Sequence, residues 1–133
     1  MPWLDVDLTA LVDNARRYGE AVGSRLLPMV KANGYGLGAI RVAQALEAID
    51  PWGFGVATVD EARQLRTAGI DRPIIAFVPF IPELADQYLA HDVRPVIGSV
   101  AALDAWLAQS ERPFHLEIDT GMGHPDAGMA EHE

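Results

Sequence analysis

The chain has 133 residues, half of them hydrophobic, enough to bury the core of one typical domain. Its net charge of −9 and pI near 4.7 argue against nucleic acid or anionic membrane as general partners, since both need a cationic surface. The absence of cysteine excludes disulfides, a thiolate nucleophile and a thiolate metal site.

The first residues, Met1-Pro2-Trp3-Leu4-Asp5-Val6-Asp7, have neither the basic start nor the long apolar run of a signal peptide. No stretch approaches the ~18 uncharged apolar residues of a membrane span. The expectation is a soluble cytoplasmic protein.

Trp3 to Val6 reads as a short strand. Thr9 to about Val22 has helical spacing, with Leu8, Leu11, Val12, Ala15 and Val22 apolar and Gly23 as the stop. Arg25 to Lys31 reads as a strand and Ala39 to Ala48 as a helix burying Ile40, Val42, Ala43 and Leu46. Trp52 to Ala57 is the next strand. Thr58-Val59-Asp60-Glu61 is a capping box that opens a helix ending at Ala68-Gly69. Then come a strand from Pro73 to Val78, a helix from Pro82 to about Ala90, a strand from Arg94 to Ile97 and a helix capped by Ser99 to about Gln109. A strand from Phe114 to Asp119 and the turn Gly121-Met122-Gly123 follow.

Strand and helix alternate at about 20 to 25 residues per unit, the pattern of parallel strands with helical crossovers. A doubly wound open sheet and part of a (β/α) barrel both satisfy it. After the first helix there are five strands, and a closed barrel needs eight. Residues 124–133 show no periodicity and read as a loose tail beyond a domain of residues 1–123.

In both architectures the functional face lies at the C-terminal ends of the strands. Lys31 falls there, in Leu27-Pro28-Met29-Val30-Lys31-Ala32-Asn33-Gly34-Tyr35-Gly36-Leu37-Gly38. Read by itself it is an ordinary strand-end lysine with its ammonium in water. Its surroundings change that reading. A lysine at the mouth of a buried strand is where an amine can be desolvated, lose proton affinity and form an imine with an aldehyde. The glycine-rich loop after it can offer backbone N–H groups, and Tyr35 a phenol, to a phosphate. A lysine imine beside a phosphate cradle is the chemistry of pyridoxal phosphate.

A dinucleotide loop fits less well. Gly34, Gly36 and Gly38 do not follow the G-x-G-x-x-G spacing, and the next strand ends Val56-Ala57-Thr58 without the acid that holds ribose. Asp119 to Gly123 reads as a turn on the same face as Lys31. Glu117 lies two residues before Asp119 and points to the same side of its strand. His124, Asp126, His132 and Glu133 resemble a metal cluster in composition only and read as a solvated tail. His91 and His115 have no partner identifiable from sequence.

The chain resembles the N-terminal part of alanine racemase, a pyridoxal phosphate enzyme of fold-type III. Val30 to Gly38 is similar to that family's cofactor-lysine motif, and His115-Leu116-Glu117-Ile118-Asp119-Thr120-Gly121-Met122-Gly123 to its second signature. Trp3 to Leu8 and the helix carrying Asn14 resemble its start. The resemblance implies a TIM-like N-terminal barrel, a C-terminal β domain and a homodimer. The activity it implies is interconversion of L- and D-alanine for cell-wall precursors. It implies that Lys31 carries pyridoxal 5'-phosphate and serves as base on one face of the substrate Cα, with Tyr35 on the cofactor phosphate. It also implies a second base, a tyrosine from the other subunit.

The chain departs from the family at four places. Leu37 stands for a common histidine. Glu117 stands where many members carry a carbamylated lysine, and it supplies a negative charge directly. His124 stands for an arginine near the substrate carboxylate, and a histidine cannot make a bidentate fork. After Gly123 the resemblance is expected to stop, with three barrel strands and the C-terminal domain of the family missing. The resulting fold expectation is α/β: an incomplete parallel (β/α) barrel with about five of eight strands, preceded by one strand and helix. The functional expectation is a truncated or frame-shifted racemase fragment, inactive alone and prone to associate through open edges. The alternatives are a pyridoxal phosphate carrier without turnover, a non-functional remnant and, less well matched, a decarboxylase or aldolase of the same fold type.

Overall fold

The computed structural model of the chain describes residues 1–121 and 123. It begins with helix α1 (Leu8–Val22), capped by the Asp7 carboxylate, which accepts the Ala10 N–H at 2.9 Å. Gly23 ends α1 in the left-handed conformation that glycine adopts without a Cβ penalty. A short helical turn α2 (Lys31–Tyr35) and helix α3 (Ala39–Leu46) follow. Three β-α units come next: β1 (Phe54–Val56) with α4 (Val59–Thr67), β2 (Ile74–Pro79) with α5 (Ala85–Ala90), and β3 (Val93–Ile97) with α6 (Val100–Leu107). Strand β4 (His115–Leu116) completes the described elements.

The four strands form one sheet in the order β1-β2-β3-β4, every pair parallel. Alternation along the strands divides it into two faces. Phe54, Val56, Ile74, Ala76, Val93 and Ile97 pack against Val42 and Leu46 of α3, Leu65 of α4, Tyr88 of α5 and Trp106 of α6. Phe80 lies edge-on to both Tyr88 and Trp106, with ring centroids 5.4 Å apart in each pair. The opposite face carries Ile75, Phe77, Val96 and His115, which with Trp52 and Leu27 line an open apolar wedge. The sheet is a run of (β/α) units that does not close on itself.

The helix caps form as the sequence indicates. Thr58 Oγ1 accepts the Glu61 N–H at 3.3 Å while Glu61 returns a carboxylate oxygen to the Thr58 N–H, and Ser99 Oγ accepts the Ala102 N–H.

Three strand expectations change. Trp3 to Val6 forms no strand: no described segment pairs with it, and Trp3 and Leu4 are exposed. A strand exists through its ladder, which local alternation cannot supply. Arg25 to Lys31 is extended only in part. Leu26 accepts the Trp52 N–H, Pro28 accepts the Gly55 N–H and Val30 donates to Gly55, yet only Met29 forms a bridge with Gly55. Pro28, which has no N–H to give, interrupts the ladder. β4 is also shorter than Phe114 to Asp119, although the Glu117 N–H extends its pairing to Ile97 O at 2.9 Å.

Arginines fasten the opposite end of the strands. Arg66 donates to the carbonyls of Ile70 and Arg72, each at 2.7 Å, and to those of His91 and Asp92. Arg72 bridges Glu47 and Asp50. These bonds tie loops at the N-terminal ends of the strands and leave the C-terminal ends for the site.

Candidate active site

Because the strands are parallel, the segments that leave their C-terminal ends share one edge of the sheet. Lys31 leaves the bridged segment there, Ala57 and Thr58 leave β1, and Glu117 to Gly121 leave β4. Lys31 is the only lysine of the chain.

The turn that carries it has an unusual backbone. Ala32 (φ 51°, ψ 48°), Asn33 (φ 54°, ψ 45°) and Gly34 (φ 64°, ψ 40°) are left-handed, and so are Tyr35 (φ 55°) and Gly36 (φ 85°). The Gly34 N–H donates to Val30 O at 2.9 Å, Gly36 N–H to Ala32 O at 3.1 Å, and Gly38 N–H to Asn33 O at 2.8 Å. For residues with a side chain this conformation costs about 1–2 kcal/mol each. Two side chains hold it. Asn33 Oδ1 accepts the Ala39 N–H at 3.0 Å and thereby caps α3, whose own N-cap, Gly38, has no side chain. Glu61 Oε1 accepts the Ala32 N–H at 2.9 Å while its other oxygen takes the Ala57 N–H at 2.7 Å. Gly34 is closely packed as well: a Cβ there would stand 3.1 Å from the Ala39 backbone.

This geometry revises two expectations. The glycine amides do not form an open anion cradle, because Gly34, Gly36 and Gly38 donate within the turn. The Lys31 amine is not desolvated; it is exposed, as is Tyr35. What remains available is a primary amine and a phenol four residues apart on one turn. An aldehyde that also bears a phosphate needs one group of each kind, and the chemistry of this pair suits pyridoxal phosphate.

Glu117 is half-buried and lines the apolar wedge with Trp52, Phe77 and His115, whereas Tyr35 lines a separate hollow with Leu11, Tyr18 and Leu37. The Arg94 guanidinium lies 5.0 Å from the Trp52 ring centroid, and His115 meets that ring edge-on at 5.9 Å. Burial, together with the nearby Arg94 charge, pushes the His115 pKa below its usual value. Asp119 accepts the Gly121 and Gly123 N–H groups at 2.8 and 2.9 Å, as its reading as a turn residue required. His124, Asp126, His132 and Glu133 lie outside the described residues. Among those described, no cluster of His, Asp and Glu suited to a metal is present.

Asn33 and Glu61 were missed as site residues. Asn33-Gly34 is a left-handed turn signal. The capping box disclosed Glu61, but nothing local disclosed its bond to a residue 29 positions earlier.

An open parallel β/α sheet with a lone lysine on a strand-end turn defines an α/β protein built like part of a (β/α) barrel. Comparison with known proteins carries this further. The family model for the alanine racemase N-terminal domain matches residues 6–133. An alanine racemase of Levilactobacillus brevis is 43% identical over 130 residues, covering 90% of this chain and 35% of that protein. One from Pseudomonas syringae is 41% identical over 133 residues, covering 96% and 36%. The crystal structure of alanine racemase from E. faecalis superposes with a TM-score of 0.81 at 32% identity, over 91% of this chain and 35% of that one. The chain belongs to the alanine racemase N-terminal domain family, and it spans about a third of the length of these relatives.

Proposed function

We propose that this chain carries the cofactor-binding part of a racemase that interconverts L- and D-alanine, with Lys31 as the lysine that holds pyridoxal 5'-phosphate. The observation that carries the reading is the left-handed turn, which sets the only lysine and Tyr35 together on the C-terminal edge of an alanine racemase scaffold.

When bound, pyridoxal phosphate supplies an electron sink that makes the Cα–H of an amino acid removable. The Lys31 amine would hold the cofactor and would serve as the base that takes or returns the proton on one face of Cα. The Tyr35 hydroxyl would be the donor available to its phosphate. Glu117 contributes negative charge at the end of β4, and His124 stands where the family places its carboxylate-facing arginine.

Racemisation also requires a proton donor on the opposite face, which the family resemblance gives to a tyrosine of the other subunit. We therefore assign turnover to an assembly that supplies that second base, a homodimer by family resemblance, and assign to this chain the anchoring of the cofactor. Exposed Leu116 and Ile118 beside the apolar wedge support such association. Among the described residues no helix is long and apolar enough to cross a membrane.

The test adds pyridoxal phosphate to the chain, follows the imine absorbance band, and assays D- and L-alanine against other amino acids. A band that is lost in Lys31→Ala supports the reading, and alanine-selective turnover extends it. A wild-type chain with neither band nor turnover overturns it.

A further inference from the structure

One carboxylate, that of Glu61, serves two distant segments. On its own helix it completes the α4 cap, with Oε2 accepting the Ala57 N–H at 2.7 Å and the Thr58 N–H at 3.4 Å. Across the edge its Oε1 accepts the N–H of Ala32, the residue directly after Lys31, at 2.9 Å. Hydrogen bonds to a charged acceptor are roughly twice as strong as neutral ones. The segment held this way needs holding, since Ala32 and Tyr35 adopt a conformation that their side chains disfavour.

We propose that Glu61 is a positioning residue for Lys31: by fixing the Ala32 N–H it holds the left-handed turn that presents the Lys31 amine at the end of the strands. The proposal rests on the reading of Lys31 as the cofactor lysine. It also separates two roles that one glutamate could fill. A capping box accepts glutamine as well as glutamate at this position, so the cap by itself has no need of a second acceptor oxygen. The Ala32 contact does need it, because the amide nitrogen of glutamine cannot accept from an N–H.

The experiment compares the full-length chain with Glu61→Gln, Glu61→Ala and Thr58→Ala. It reads amide hydrogen exchange at Ala32 and Ala57 without cofactor, and then the rate of imine formation with pyridoxal phosphate. In Glu61→Gln, Ala32 is expected to exchange about tenfold faster, and imine formation at Lys31 to slow by a similar factor. Thr58→Ala, which weakens the cap but keeps both carboxylate oxygens, is expected to stay within about twofold of wild type in both readouts. Should Glu61→Ala fail to fold, Glu61→Gln decides. Wild-type Ala32 exchange or wild-type imine formation in Glu61→Gln overturns the proposal. A wild-type chain that forms no imine defeats the cofactor reading, and Ala32 exchange then still decides whether Glu61 governs the turn.

Discussion

Met29 lies over Gly55. The two residues form the parallel bridge that joins the segment before Lys31 to β1, and the Met29 sulfur and methyl stand 3.0 Å from where a Gly55 Cβ would be. Phe77 Cε2 closes the same space at 3.1 Å. The absence of a side chain at position 55 therefore leaves the space that the Met29 thioether and the Phe77 ring edge fill.

Gly55→Val is expected to destabilise the chain by about 1–3 kcal/mol through overpacking. Met29→Ala in the same background is expected to recover part of that loss, because it removes the atoms that clash. A double-mutant cycle from denaturant unfolding measures the coupling. Additive effects would show that Met29 and Gly55 do not share this space.

The turn after Lys31 gives a second contrast. Gly34 and Gly36 are both left-handed, but a Cβ at Gly34 meets the Ala39 backbone at 3.1 Å whereas one at Gly36 meets nothing within 4 Å. Gly36→Ala is expected to cost about 1–2 kcal/mol for conformation alone. Gly34→Ala is expected to cost more and to disturb the start of α3 as well. Thermal melts and circular dichroism of the two variants provide the comparison.

Tyr88 predicts an alkaline transition. Its hydroxyl is buried with no hydrogen-bond partner among the described residues, and burial pushes its pKa up to about 12. The folded state therefore favours the neutral phenol, and the contribution of Tyr88 is complete below the unfolded value near 10. It falls as pH rises from about 10 toward 12, by roughly 1.4 kcal/mol for each pH unit between the two values. Tyr88→Phe keeps the edge-on packing and removes the unpaired hydroxyl. It is expected to match or exceed wild-type stability at pH 8 and to flatten the loss above pH 10, as read by urea unfolding at several pH values.

Much of the fold is legible in the sequence because its signals are local. Thr58 and Glu61 mark the start of α4, Ser99 that of α6, and Gly23 the end of α1. Each works through groups within a few residues, and each is found where the spacing puts it. The failures involve distant partners. Trp3 to Val6 has strand-like residues and no neighbour to pair with among the described residues, and the Arg25 segment loses its ladder at Pro28.

The site divides in the same way. Lys31 and Tyr35 are legible as candidates from the loop that carries them. Their backbone is not, because left-handed Ala32 and Tyr35 run against the preference of their own side chains, and the turn is held by bonds that involve Ala39 and Glu61. The glycine amides that looked like an anion cradle turned out to close the turn itself.

The central claim is that Lys31 is the cofactor lysine, and reductive fixation tests it most directly. The chain is incubated with pyridoxal 5'-phosphate, reduced with borohydride, digested and mapped by mass spectrometry. With one lysine in 133 residues, the only other primary amine in the sequence is the amino terminus. The account predicts a single phosphopyridoxyl group on the peptide containing Lys31, formed at low cofactor concentration and absent from Lys31→Ala. That variant should retain wild-type stability within about 0.5 kcal/mol, since the side chain it removes is exposed. No adduct, or an adduct confined to the amino terminus, would contradict the account.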